Sequence, residues 1–73
     1  MKKEILPADL FADGMLTIKE VSEQYGLSAS FLYDEMNRGQ LGYVKLGGTR
    51  RIPRKALFAY FQANFKTGKH DTE

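Results

Sequence analysis

Apolar residues between Leu16 and Leu32 recur with helical spacing rather than strict alternation. Ile18, Val21 and Tyr25 fall on one face of a helix, with polar residues between them. Thr17 followed by Glu20 matches a capping box, in which each side chain satisfies a backbone N–H at the other's position. Leu16 and Val21 take the two staple positions that set how the chain enters the helix. Gly26 follows at once, suited to the left-handed residue that closes a helix. Ser28 is placed to cap a second helix, with Leu27 and Leu32 as its staple.

A helix, a turn of about three residues around Gly26 and a second helix have the spacing of a helix-turn-helix. The second helix is expected from about Ala29 to Arg38, stopping at Gly39. At roughly 100° per residue, Leu32 and Met36 form its buried centre, with Ala29 beside them. The opposite arc carries Tyr33, Asn37, Ser30, Asp34 and Arg38 in angular order. Phe31 falls next to Arg38, away from the buried centre. An aromatic there needs a partner, either another part of the domain or a bound nucleic acid.

Beyond Gly42, Tyr43 to Leu46 and Thr49 to Ile52 are β-favouring runs separated by Gly47-Gly48, which predicts a tight hairpin. With a two-residue loop, Leu46 pairs with Thr49, Lys45 with Arg50, Val44 with Arg51 and Tyr43 with Ile52. Tyr43 and Ile52 are then expected to anchor the hairpin base on the core. Lys45 faces Arg50, and like charges directly opposite are destabilising. A phosphate near the tip would relieve that repulsion; alternatively, both side chains splay into water. Pro53 suits the first turn of a last helix, expected from Arg54 to about Lys66. That helix has Leu57, Phe58, Phe61 and Phe65 on one side and Ala56, Tyr60 and Ala63 on another. So much apolar surface implies two neighbours: the helix pair with its hairpin, and either residues 5–16 or a second subunit. The expected fold is mostly α with a small β-hairpin: helix-turn-helix, two-stranded wing, C-terminal helix. Residues 1–14 are expected as a partly ordered extension, 15–66 as the domain and 67–73 as a flexible tail.

Composition narrows the function classes. At 73 residues with no cysteine, one small core must hold the fold without disulfides or a thiolate metal site. No apolar run approaches the roughly 20 residues of a membrane span, and the Met-Lys-Lys start lacks a signal peptide's hydrophobic region. A cytoplasmic module without membrane contact is the expectation. The net charge of +2 hides a strong asymmetry. Residues 1–35 set three lysines against seven acids, a net −4; residues 36–70 carry eight Lys and Arg and no acid, +8. One basic face implies a polyanionic partner, nucleic acid above all, although a lopsided solvated surface gives the same count.

Catalytic chemistry is thin. His70, the single histidine, stands in a polar tail. Asp34 and Glu35 are adjacent on a helix and point about 100° apart. Ser22, Ser28 and Ser30 have no base at a useful spacing. Gly47-Gly48-Thr49 lacks the remainder of a phosphate-binding loop and is a turn. No enzyme, no cofactor and no metal site is expected.

Taken in order, several fragments carry a family resemblance: Leu16 to Ser22, Tyr25 to Ser30, Phe31-Leu32-Tyr33, Arg38 to Leu41, Val44 to Gly48 and Arg51 to Arg54. Together they resemble the excisionase-type helix-turn-helix domains, the small winged-helix group related to the DNA-binding part of MerR regulators. The match spans about residues 15–61. It implies a winged helix that binds double-stranded DNA, second helix in the major groove and hairpin at the neighbouring minor groove or backbone. It also implies a mobile-element setting, phage or plasmid, in which an excisionase works with an integrase and several copies bend attachment-site DNA. A small transcriptional or replication regulator would use the same architecture, and an adaptor that binds protein is the reading from another class. The sequence departs from the family pattern at Ala29 and Asp34, near which Arg is frequent, and at Phe31, where a small polar residue is usual.

On this expectation Ser30, Tyr33 and Asn37 face the major groove, Asn37 pairing with adenine N6/N7. Ser28 caps the helix whose N-terminus offers N–H groups to a phosphate. Asp34 accepts from cytosine N4, or is a solvated charge or a partner of Arg38. Arg38, Lys45, Arg50, Arg51 and Arg54, with Thr49 at the turn, hold phosphates or enter the minor groove. Arg51 has a rival role in a salt bridge within the domain. With about five phosphates neutralised, log K against log salt would slope near −4 to −5.

Overall fold

The computed structural model describes residues 10–67. Strand β1 (Met15–Thr17) leads directly into helix α1 (Ile18–Tyr25), and helix α2 (Ala29–Asn37) follows. Strands β2 (Val44–Leu46) and β3 (Thr49–Pro53) form the hairpin, and helix α3 (Arg54–Ala63) follows it. The sheet is antiparallel in the order β1-β3-β2.

Local chemistry explains these boundaries. Glu20 N–H donates to Thr17 Oγ1 at 3.0 Å and Thr17 N–H donates to Glu20 Oε1 at 2.9 Å, a complete capping box. Gly26 closes α1 at φ 69°, where a side chain would be strained, and its N–H donates to the Ser22 carbonyl. Ser28 Oγ accepts from Phe31 N–H at 3.1 Å and starts α2. In the hairpin, positive φ at Gly47 (60°) but not at Gly48 fits the type II′ turn, whose twist matches paired strands.

Leu16, Val21, Leu32, Met36, Leu41, Ile52 and Leu57 form the buried core, with Ile18, Leu27, Tyr60 and Phe61 packed around it. Both staple residues of α1, Leu16 and Val21, are therefore core residues as well. Leu41 enters because the chain wraps back after α2: the N–H groups of Gln40 and Leu41 both donate to the Glu35 carbonyl.

The structure adds to the expectations in one place and departs from them in two. First, the two-stranded wing forms as expected, and β1 joins it as a third strand. Leu16 pairs with Ile52 across β1 and β3, so the residue read as a staple also extends the wing into the core. Second, the Lys45–Arg50, Leu46–Thr49 and Val44–Arg51 pairs form as expected, but β2 begins at Val44. Ile52 is fully buried at the hairpin base, whereas Tyr43 is 37% exposed and belongs to no part of the core. Third, α3 ends at Ala63 rather than near Lys66. Asn64 terminates it: its Nδ2 donates to the Tyr60 carbonyl at 2.8 Å, occupying an acceptor at the helix end. At the other end of α3, Pro53 offers no side-chain cap, and the Arg54 N–H donates instead to the Gly14 carbonyl at 3.0 Å. Residues just before β1 thus lie against the start of α3, as the exposed Lys55–Asp13 pair at 3.9 Å also shows. Of the expected terminal segments, 1–9 and 68–73, with His70, lie outside the described residues.

Candidate nucleic-acid interface

Helix α2 buries Leu32 and Met36 and leaves Ser30, Tyr33, Asp34, Asn37 and Arg38 exposed, as expected from its 100° periodicity, but Ala29, expected beside the buried centre, is exposed in the first turn. It is braced on both flanks. On the α3 side, Tyr60 Oη donates to Glu35 Oε1 at 3.0 Å. Burial, then the hydrogen bond to Glu35 and its negative charge, push the Tyr60 hydroxyl above its ordinary value of 10.0. The same carboxylate lies 3.8 Å from Arg38 Nη1 through its other oxygen. Arg38 thus pairs with Glu35 and not with Asp34, which has no ion pair among the described residues.

The wing forms the other brace, through Arg50. Lys45 and Arg50 stand directly opposite and share a face of the hairpin. Arg50 resolves the like-charge contact by turning inward. Its Cζ lies 4.6 Å from the Tyr43 ring centroid and 5.0 Å from that of Tyr33. Nη1 reaches Asn37 Oδ1 at 3.4 Å and Met36 Sδ at 3.5 Å. The guanidinium therefore lies over one aromatic just before the wing and one of α2, an arrangement that suits its weakly hydrated cation. Lys45 remains exposed.

The remaining candidates occupy different faces. Arg51 alternates away from buried Ile52 and lies on the outer face of the sheet, between Thr17 of β1 and Val44 of β2. It is half-buried, and no salt bridge holds it among the described residues. Thr49 Oγ1 donates to the Leu46 carbonyl at 3.1 Å, so its hydroxyl proton closes the turn. Arg54 is the first residue of α3, and Lys55 follows it. Cations there oppose the helix dipole, and no acid stands in that first turn.

Phe31 is 39% exposed and lies outside the core cluster. A separate aromatic group joins α1 to α3: Tyr25 meets Phe61 with centroids 5.1 Å apart, and Phe58 lies 6.4 Å from Phe61. Periodicity alone could not reveal the roles of Tyr43 and Glu35. Each acts through a partner in another element, Arg50 and Tyr60 respectively. The one sequence signal for Tyr43 is the like-charged Lys45–Arg50 pair, one cation of which needs another neighbour. Among the described residues there is no cavity, no cluster of potential metal ligands, and no helix long and apolar enough to cross a membrane.

Two helices joined by a short glycine turn, the second braced but open outward, with a hairpin against its flank, define a winged helix-turn-helix, a DNA-binding module. The comparison with known families agrees. The family model described as a helix-turn-helix domain matches residues 15–64, from β1 to the cap of α3, and the chain belongs to that family. No curated protein and no solved structure matches the chain.

Proposed function

We propose that this protein is an excisionase-type accessory factor of a phage or plasmid, which binds attachment-site DNA beside an integrase and bends it. The observation that carries the DNA-reading part is the open arc of α2. Ser30, Asp34 and Asn37 lie exposed between the Arg50 brace and the Glu35–Tyr60 brace. A helix held on both flanks presents its outer residues in one orientation, as groove readout requires. Arg38 at the end of this helix, Lys45 on the adjacent wing face, and Arg51 and Arg54 beyond it supply phosphate contacts. Arg54 at the start of α3 supports an anionic partner, since a bound phosphate offsets a charge that the helix dipole disfavours, whereas Lys55 beside it already meets Asp13.

The excisionase assignment rests on the ordered resemblance between Leu16 and Arg54. One winged helix covers on the order of 600–1,000 Å² of its own surface on DNA, which suits occupancy through dimers, adjacent sites or a larger partner such as an integrase. The exposed Phe58 and the 75% exposed Phe65 are candidate contacts between copies or with the integrase. The protein acts by binding in the cytoplasm, without cofactor or catalysis.

A permuted-fragment gel assay tests this reading. The expected result is a ladder of complexes with increasing protein and a mobility that depends on site position, the signature of bending by adjacent copies. A single complex of position-independent mobility favours a simple regulator, and the absence of any retained duplex favours a protein-binding adaptor.

A further inference from the structure

Arg50 stands at the junction of wing and recognition helix, yet its charge is already engaged. Its guanidinium lies over Tyr43 and Tyr33, and Nη1 donates toward Asn37 Oδ1 at 3.4 Å. We infer that Arg50 is a positioning residue rather than a phosphate anchor, and that it sets which base edge Asn37 reads. The inference rests on the DNA-binding reading above.

An asparagine pairs bidentately with adenine by accepting from N6 and donating to N7, so it must offer its carbonyl and its amino group together. Here the carbonyl side faces a cation that carries only donors. An adenine N6 amino group approaching Oδ1 would meet the N–H groups of Arg50. The Nδ2 amino group, which Arg50 cannot engage, makes no hydrogen bond among the described residues and belongs to an exposed helix position. Donors directed into the major groove match guanine, where both O6 and N7 accept. The wing thus fixes the specificity of the helix: Asn37 is expected to prefer guanine over adenine.

Geometry explains why arginine is needed for this role. A guanidinium is planar, stacks on aromatic faces and directs its donors in its own plane. In Arg50 the Cζ lies over two aromatic rings while Nη1 reaches the amide oxygen of Asn37. Lysine keeps the positive charge but has no plane to stack.

The test uses the full chain and pools of duplex DNA randomised across the bound site, with affinities measured over a salt series. The wild-type chain is expected to select guanine at the position that loses its preference in Asn37→Ala. In Arg50→Lys, adenine is expected to gain roughly tenfold relative to guanine at that position alone. The slope of log K against log salt should be unchanged in both Arg50→Lys and Arg50→Ala. Tyr43→Leu, which alters no charge, should reproduce the base shift and carries the test if either Arg50 variant fails to fold. Adding Arg50→Lys to Asn37→Ala should cause no further shift at that base.

Two results would overturn the inference. One is a wild-type base profile in Arg50→Lys and Tyr43→Leu. The other is a salt slope shallower by about 0.9 in Arg50→Ala, the loss of one phosphate contact. If the wild-type chain retains no duplex, it is the DNA-binding reading that fails, and the two failures are distinct.

Discussion

Leu32→Ala is expected to lower the unfolding free energy by about 2–5 kcal/mol. Leu32 is fully buried at the centre of α2, among the residues of the single core cluster. Removing its branched end forfeits the transfer free energy of those methyl groups and leaves a cavity that the braced helix cannot collapse to fill. For a chain of 73 residues, total stability is on the order of 4–11 kcal/mol, so this one change removes a large share. A urea titration should show a lower midpoint with an unchanged slope. Leu46→Ala is the contrasting substitution: Leu46 is 48% exposed near the hairpin tip, and its loss should stay within about 0.5 kcal/mol. Equal effects at the two positions would mean that the core does not hold α2 in place.

Raising monovalent salt from about 50 to 200 mM is expected to weaken duplex binding by roughly 150-fold. Four phosphate contacts, from Arg38, Lys45, Arg51 and Arg54, give a slope near −3.6 in log K against log salt. Counting Arg50 as a fifth contact would give the steeper −4 to −5 expected from sequence. The difference arises because the Arg50 guanidinium lies over the Tyr33 and Tyr43 rings and beside Asn37 rather than extended toward a phosphate. Lys45, its exposed cross-strand neighbour, keeps its charge available, and Lys45→Ala should make the slope shallower by about 0.9. A slope near zero would remove the electrostatic basis of the interface.

Much of this architecture was legible because its signals are local. The capping box of Thr17 and Glu20 lies within one helical turn, as does the bond from Phe31 N–H to Ser28, and both form as their spacing implies. The Gly-Gly turn defines a hairpin register that needs no distant information. What sequence did not reveal depends on contacts between elements. Strand β1 has three residues, too few to show alternation, and exists because Leu16 finds Ile52 across the fold. Leu41 has no periodic neighbour and becomes core only because the chain wraps back over the end of α2.

The interface follows the same division. The exposed arc of α2 could be read from helical geometry, so Ser30, Tyr33 and Asn37 were placed correctly on the outer side. The bracing could not. Charge counting treats Arg50 as one more cation, whereas its role depends on two tyrosines brought beside it by different elements. Glu35 was unremarkable in an acidic pair, yet it joins α2 to α3 through Tyr60 and also meets Arg38.

In the proposed complex, the outer arc of α2 and the adjoining wing contact duplex DNA. Backbone amide shift mapping during titration with a selected duplex tests this most directly. The expected result is a contiguous set of perturbed amides at Ser30, Tyr33, Asn37, Lys45 and Gly47 to Thr49, with Tyr25 and Phe61 unmoved. Perturbations confined to that second group, with the α2 and wing amides unchanged, would contradict it.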